Sequence, residues 1–320
     1  MTCVKMNLDS KIYIAGHTGL VGSALVRTLR EKGYKNLIFT THRDLDLRDE
    51  DTTKKFFETM RPEYVYLCAA KCGGIVDTKS HPVQYLEDNL KIQSNVISSC
   101  HHVNVKKMIM LGSASVYPSQ SVQPIKEEYL LTGKLEPVNE SYGMAKIIGI
   151  KQCQAYNKQY GTKYINVNPC NVYGPRDNFN PSSSHVVAAL IRKFYEAKIS
   201  GKKQVECWGT GSARRELIYV EDLADALIHL MNTKDCPDVV NIGPGKDVSI
   251  KELVAHVVDV IGYEGEILWD ETKPEGVKQR LLDVSKLNDL GWNATTDLDH
   301  GLFNTYEYFK LGDGKQCIGL

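Results

Sequence analysis

The feature that most constrains this chain is an apolar run, Lys11–Ala15, that breaks into Gly16-His17-Thr18-Gly19-Leu20-Val21-Gly22 and then takes up a helical period over Leu20–Lys32. A strand feeding a helix through closely spaced glycines makes a tight turn, lets backbone approach an anion, and seats that anion at the helix N-terminus. Three glycines alone do not define such a site; the context does. Here a second strand-like run, Asn36–Thr40, follows the helix. Further runs at Tyr64–Ala69, Lys107–Leu111, Tyr164–Asn168 and Val239–Ile242 alternate with helical segments, among them Pro82–Cys100 and Glu140–Tyr160. Alternation of this kind implies a parallel sheet with crossover helices. The expected fold is therefore α/β: a Rossmann-type doubly wound parallel sheet with a smaller α/β C-terminal substrate domain.

The texture changes near Gly174, where "YGPRDNFNPSSSH" is rich in Pro, Asn and Ser. We expect residues 1–173 to form the dinucleotide-binding domain, residues 174–320 to bind the substrate, and a segment at about 215–245 to return to the first domain. A chain of 320 residues, 42% apolar, can support both cores. Lys and Arg number 39 and so do Asp and Glu, so net charge gives no reason to expect nucleic acid or an anionic membrane as partner. The nine cysteines (3, 68, 72, 100, 153, 170, 207, 236 and 317) are scattered without metal-type spacing. They read as free thiols in a reducing compartment, with no metal site. The first residues lack the apolar core of a signal peptide, and no run approaches the roughly 18 apolar residues of a membrane span. The expectation is a cytoplasmic protein.

The cofactor end has a directional signal. An NAD site usually closes its second strand with an acidic residue for the ribose 2′-hydroxyl. This strand ends Thr40-Thr41-His42-Arg43, so Arg43, helped by His42, suits the 2′-phosphate of NADP, although a solvated surface arginine fits the same residues. Asp46 and Leu47 on the following turn are placed for the adenine. Ala69, Ala70 and Lys71, after the third strand, would line the cofactor, with Cys72, Gly73 and Gly74 at the carboxyl edge where α/β sites lie. Nothing in the sequence pairs Cys72 with a base, so it reads as lining.

The chemical end follows the fourth strand. Tyr142 and Lys146 stand four apart in a helical segment, on one face with Cβ atoms about 5–6 Å apart. An ammonium beside a phenol favours the phenolate, and such a pair exchanges a proton with a carbonyl oxygen while hydride moves at carbon. Gly112-Ser113 places a second hydroxyl for the same oxygen.

This set of GxxGxxG, Asp46-Leu47, Gly112-Ser113 and Tyr142-x-x-x-Lys146 resembles the extended short-chain dehydrogenase/reductases. "IAGHTGLVGSA", "AAKCGGI", "LEPVNESYGMAK", "NVYGPRDNFNPSSSHV" and "WGTGSARRELIYVEDLA" are similar to the GDP-L-fucose synthase family over about residues 10–295. The resemblance implies an enzyme with NADPH in the N-terminal domain, Lys146 touching it as well as Tyr142, and a GDP-linked 4-keto sugar in the C-terminal domain of a homodimer. By the same resemblance His185 is a proton donor for epimerisation, Arg215 contacts the diphosphate and Lys193 is a further basic position at the substrate; Asn171 is also expected there, and Trp208, next to Gly209, fits either the core or the lining of a base or sugar pocket, the pocket being expected. Taken alone, His185 also reads as a helix-start residue and Arg214-Arg215 as a surface pair.

One departure sets the functional expectation. Where the family carries a cysteine as base, two residues after the catalytic serine, this chain has Ser115. A thiol with a reference pKa of about 8.5 ionises readily beside a cation, whereas a serine hydroxyl does not unless activated. The expected activity is thus NADPH-dependent C4 reduction with epimerase activity weak or absent. The alternatives are a full 3,5-epimerase/4-reductase using another base, a Cys-to-Ser laboratory variant, a 4-epimerase that retains its cofactor, and a non-catalytic dinucleotide sensor. The last has no need of Ser113, Tyr142, Lys146 and His185 together.

Overall fold

All six apolar runs become strands of one parallel sheet in the computed structural model, which describes residues 5–273 and 276–312. In chain order the strands are β1 (Ile12–Ala15), β2 (Leu37–Ile38), β3 (Tyr64–Leu67), β4 (Lys107–Leu111), β5 (Tyr164–Pro169), β6 (Asn171–Tyr173), β7 (Gln204–Trp208), β8 (Arg214–Tyr219), β9 (Val239–Ile242), β10 (Asp247–Ser249), β11 (Glu266–Asp270) and β12 (Gln279–Arg280). The helices are α1 (Leu20–Glu31), α2 (Glu50–Met60), α3 (Ile75–Ser80), α4 (Pro82–His102), α5 (Glu140–Tyr160), α6 (Val186–Ile199), α7 (Val220–Asn232), α8 (Ile250–Ile261), α9 (Ser285–Asp289) and α10 (Leu298–Lys310). The main sheet has the order β2-β1-β3-β4-β5-β9. Strands β1, β3, β4 and β5 are buried at every position, as expected when helices cover both faces and apolar residues need not alternate. Helix α1 packs with α7, and α4 with α2 and α5.

A second apolar core gathers Phe179, Phe194, Leu253, Val257, Leu302 and Phe309 from α6, α8, α10 and the loops before them. Strand β8 lies between the cores: Ile218 packs in the first, Leu217 and Tyr219 in the second. The first core also recruits Val220–Met231 side chains of α7, Val240 and Ile242, and then Leu282, Leu287 and Trp292, a later return that the sequence reading had not separated from the second unit. A buried polar chain fastens the sheet end below the site. Asn168 donates to the Tyr117 hydroxyl (2.9 Å), which donates to Asn241 Oδ1 (2.6 Å). Such groups are costly to bury unless paired, so the network fixes one arrangement.

Two buried carboxyls give a stability prediction. Glu216, fully buried, accepts from Gly245 N and Leu282 N; Asp177, 2% exposed, accepts from Asn178 N through Oδ1 while Oδ2 has no hydrogen-bond partner among the described residues. Burial pushes each up to about 7. Unfolded, such groups titrate near about 4, so between the two values the folded chain holds protons that the unfolded chain has lost. Their stabilisation is fully present below that window and is lost as pH rises through it, on the order of 4 kcal/mol per group. His17 and His185 are drawn down by burial and act with opposite sign, so one variant must isolate the effect. The melting temperature of Asp177→Asn minus that of wild type is expected to increase from pH 5 to pH 8. A constant difference across that range would remove Asp177 as a titrating group.

Candidate active site

The order of the sheet opens a crevice between β1 and β3, because the chain continues outward to β2 on one side and to β4 on the other. The glycine turn lies there. Gly16 has φ +84°, and a side chain at Gly22 would stand 2.1 Å from the Gly16 carbonyl oxygen, so the helix can enter this closely only without one. Gly19 caps α1 with no side-chain bond, and no acidic residue occupies the first turn. The free N–H groups and the dipole therefore remain for an anion. Thr18 is exposed and Leu20 and Val21 half-buried beside the turn, opposite Ala69, Ala70 and Lys71. Asn89 holds the backbone of Lys71 from both sides, through N (3.0 Å) and O (2.9 Å). The donor set and the cradle at Gly22 fit a dinucleotide.

At the end of β2 the strand is shorter than the sequence run, since Phe39, Thr41, His42 and Arg43 face solvent at the sheet edge. Among the described residues Arg43 has no hydrogen-bond or ion-pair partner, and its exposed side chain is available to a ligand. His42 stands 3.9 Å from Asp46. Asp46 itself is gripped by Arg48 (2.7 and 3.0 Å), which holds its carboxyl down at about 2. The Leu47 side chain is buried and its carbonyl accepts from Asn95.

The hydroxyl cluster forms where β4 ends and α5 passes over it. A side chain at Gly143 would meet the Ser115 carbonyl at 2.8 Å, so this glycine lets α5 press its Tyr142 turn onto the loop after β4. Ser113 stands beside Tyr142, and its hydroxyl favours ionisation of the phenol. Ser113 is oriented by its own backbone, donating N–H to Asn168 Oδ1 (3.3 Å), and its Oγ accepts from Ser115 N (3.1 Å). Lys146 is buried and donates to the Leu111 carbonyl (2.7 Å), with Nζ 5.8 Å from the Tyr142 ring centre.

Electrostatics here differ from the sequence expectation. The phenol of Tyr142 is raised, not lowered: burial dominates, Cys72 adds to it, and the Ser113 hydroxyl opposes it. Burial also draws Lys146 down to about 8. With its ammonium turned to Leu111, Lys146 does not pull the ligand-free phenol into ionisation, so Tyr142 is held as a proton donor. Ser115 is half-buried on the short turn Ala114–Val116. Cys72 is exposed beside the same space, within electrostatic reach of Lys146, Lys71, Asp177 and Tyr142, and desolvation pushes its thiol up. The other cysteines described, at 68, 100, 153, 170, 207 and 236, are free, and Cys3 and Cys317 lie outside the described residues.

His185 caps α6 and is accessible, with desolvation lowering its pKa. Its loop is tied to the loop after β3, for Gly74 N donates to the Ser183 carbonyl (2.8 Å). Asn171 begins β6 opposite Leu217, half-buried. Lys193 turns its ammonium to the Glu206 carbonyl (2.9 Å), and Trp208 is 51% exposed at the end of β7. Arg215 donates to the Arg214 and Val277 carbonyls and lies in register with Arg280 on β12, which is paired with Glu136 (3.2 Å). Sequence reasoning did not single out Arg280, because only the pairing of β12 with β8 sets it beside Arg215. Among the described residues no helix is long and apolar enough to cross a membrane.

Comparison with known proteins gives a consistent picture. Residues 12–243 match the NAD dependent epimerase/dehydratase family. The chain is 49% identical over 301 residues to GDP-L-fucose synthase 1 of Arabidopsis thaliana, covering 94% of this chain and 93% of the relative. Among solved structures, a GDP-6-OMe-4-keto-L-xylo-heptose reductase from C. jejuni superposes with a TM-score of 0.90 at 38% identity, covering 96% of this chain and 99% of that one. A GDP-mannoheptose C4 reductase from Campylobacter jejuni with NADP bound gives 0.87 at 38% identity, covering 95% and 99%.

Proposed function

Because the chain belongs to the NAD dependent epimerase/dehydratase family, and within it to the GDP-L-fucose synthases, we propose that it is an NADPH-dependent C4-reductase of a GDP-linked 4-keto sugar with little or no epimerase activity. The observation that carries this reading is the hydroxyl pair Ser113–Tyr142, backed by buried Lys146 at the dinucleotide crevice, with a second serine where a base would be needed. Reduced nicotinamide supplies the hydride when bound. Ser113 donates to the C4 carbonyl oxygen and orients it, and Tyr142 delivers the proton that the oxygen takes up as hydride reaches carbon. Lys146 then steadies the phenolate until solvent returns the proton. Arg215 and Arg280 together suit a diphosphate, which needs fixed positive charge with planar donors.

In this reading residues 1–173 with about 215–245 hold the dinucleotide, and 174–320 hold the nucleotide sugar. The setting is the cytoplasm, as free thiols favour. The chain pairs as a homodimer through α4 and α5, where exposed Val83, Met144 and Ile148 support a covered face. A second reading, full 3,5-epimerase/4-reductase, is favoured by the identity to GDP-L-fucose synthase 1. The test incubates the protein with NADPH and a panel of GDP-4-keto sugars, some already epimerised, and identifies products by NMR. Consumption of NADPH with C3 and C5 unchanged supports the reductase; inverted product supports the epimerase/reductase; no net oxidation of NADPH overturns both.

Cofactor choice follows from Arg43. NADPH is expected to be preferred over NADH in kcat/KM, and Arg43→Asp should abolish the preference by placing an acid against the 2′-phosphate. Equal use of both cofactors, unchanged in the variant, would count against this assignment.

A further inference from the structure

A strained arginine stands within electrostatic reach of the dinucleotide turn. After β6 the chain passes through Gly174 and Pro175 to Arg176, whose φ of +68° lies in the left-handed region. For a residue with a side chain such a conformation costs about 1–3 kcal/mol and persists where its surroundings impose it. The surroundings here are specific. Asp177 N donates to the Gly174 carbonyl (3.2 Å), and the Asp177 side chain is buried. Asn178 Nδ2 holds Ser183 through its carbonyl (3.2 Å) and hydroxyl (2.8 Å), and the Ser183 carbonyl accepts from Gly74. The loop is thereby fastened to the one that follows β3, at the carboxyl edge of the sheet.

The side chain so presented is exposed and, among the described residues, has no hydrogen-bond or ion-pair partner. It lies within electrostatic reach of His17, the second residue of the glycine turn, which stacks on Phe39 (4.6 Å) and whose protonation the guanidinium opposes. The turn itself, Gly16 to Gly22, contains no lysine or arginine. The first basic residue of α1, Arg27, is paired with Glu221. A diphosphate on this turn would find backbone N–H groups and a helix dipole from its own side, and no cation.

We propose that Arg176 is a cofactor-binding residue whose guanidinium closes over the diphosphate of the dinucleotide. This rests on the reading that the crevice takes NADP(H). Since the diphosphate is common to NADPH and NADH, loss of Arg176 weakens both alike, whereas Arg43 acts on the 2′-phosphate alone. A paired guanidinium and phosphate is among the stronger polar contacts in a protein site.

The experiment measures Kd for NADPH and for NADH with wild type, Arg176→Gln, Arg176→Lys, Arg176→Gly and Arg43→Gln, alongside melting temperatures. Arg176→Gln should weaken both dinucleotides about tenfold, by a similar factor, with partial retention in Arg176→Lys and loss of NADPH affinity only in Arg43→Gln. Arg176→Gly should lose the same affinity while melting higher than wild type, because glycine adopts the left-handed conformation without strain. Unchanged affinity in Arg176→Gln, a loss confined to NADPH, or a lower melting temperature in Arg176→Gly would each overturn the proposal. A wild type that binds neither dinucleotide would instead overturn the cofactor reading, and this proposal with it.

Discussion

Tyr142→Phe is expected to lower kcat by about 10²–10⁴-fold, the usual share of a positioned general acid, while leaving the Kd for the GDP-sugar within a few-fold of wild type. The phenol acts on charge that develops at the C4 oxygen only as hydride arrives, so its removal affects the transition state far more than the bound ground state. The site supports this asymmetry. Burial keeps the phenol protonated in the resting protein, and Ser113, anchored through Asn168, remains to hold the carbonyl in the variant. The fold should be undisturbed, for the ring still packs edge-on against Tyr85 at 6.3 Å. Comparing single-turnover rates with separately measured Kd values checks the split. Near-normal turnover would remove Tyr142 from the mechanism, and a loss seen mainly in Kd would make it a binding residue.

The elements that carry this chemistry were legible because their signals are local. Helix α5 spans Glu140–Tyr160, as its period indicated, and the buried strands are continuous apolar runs that need no knowledge of partners. Less local features escaped. The pairing of β11 with β7 joins two five-residue strands that are far apart in sequence, and each buries only part of its length. The return of Leu282–Trp292 to the first core depends on where β12 docks. Charge was harder still. A spacing of four set Tyr142 and Lys146 on one face, yet whether the ammonium serves the phenol or the Leu111 carbonyl is decided by burial and by the strand that ends beneath it. Arg176 shows the same limit: an arginine in a polar loop reads as a solvated charge until its backbone angle and the glycine turn are seen together.

Ser115 carries the second large effect. A 4-keto group acidifies the hydrogens at C3 and C5, and inversion there needs a base on one face and a donor on the other. The Ser115 hydroxyl sits on a turn whose N–H is committed to Ser113, and none of the surrounding groups described is a base poised to ionise it. Cys72, an exposed thiol pushed up by local desolvation, favours its protonated form and does not replace it. His185, drawn down by desolvation, is neutral near pH 7 and holds no ready proton. Reduction should therefore leave C3 and C5 as supplied. The measurement is solvent exchange in D2O with NADP+ in place of NADPH, so that reduction cannot drain the ketone. Wild type is expected to incorporate little deuterium at either carbon, and Ser115→Cys to incorporate at least about tenfold more, since a thiol with a reference pKa of about 8.5 ionises where serine cannot. Rapid exchange in wild type that persists in Ser115→Ala would sink the reductase reading. Its loss in Cys72→Ser would then identify the thiol as the base.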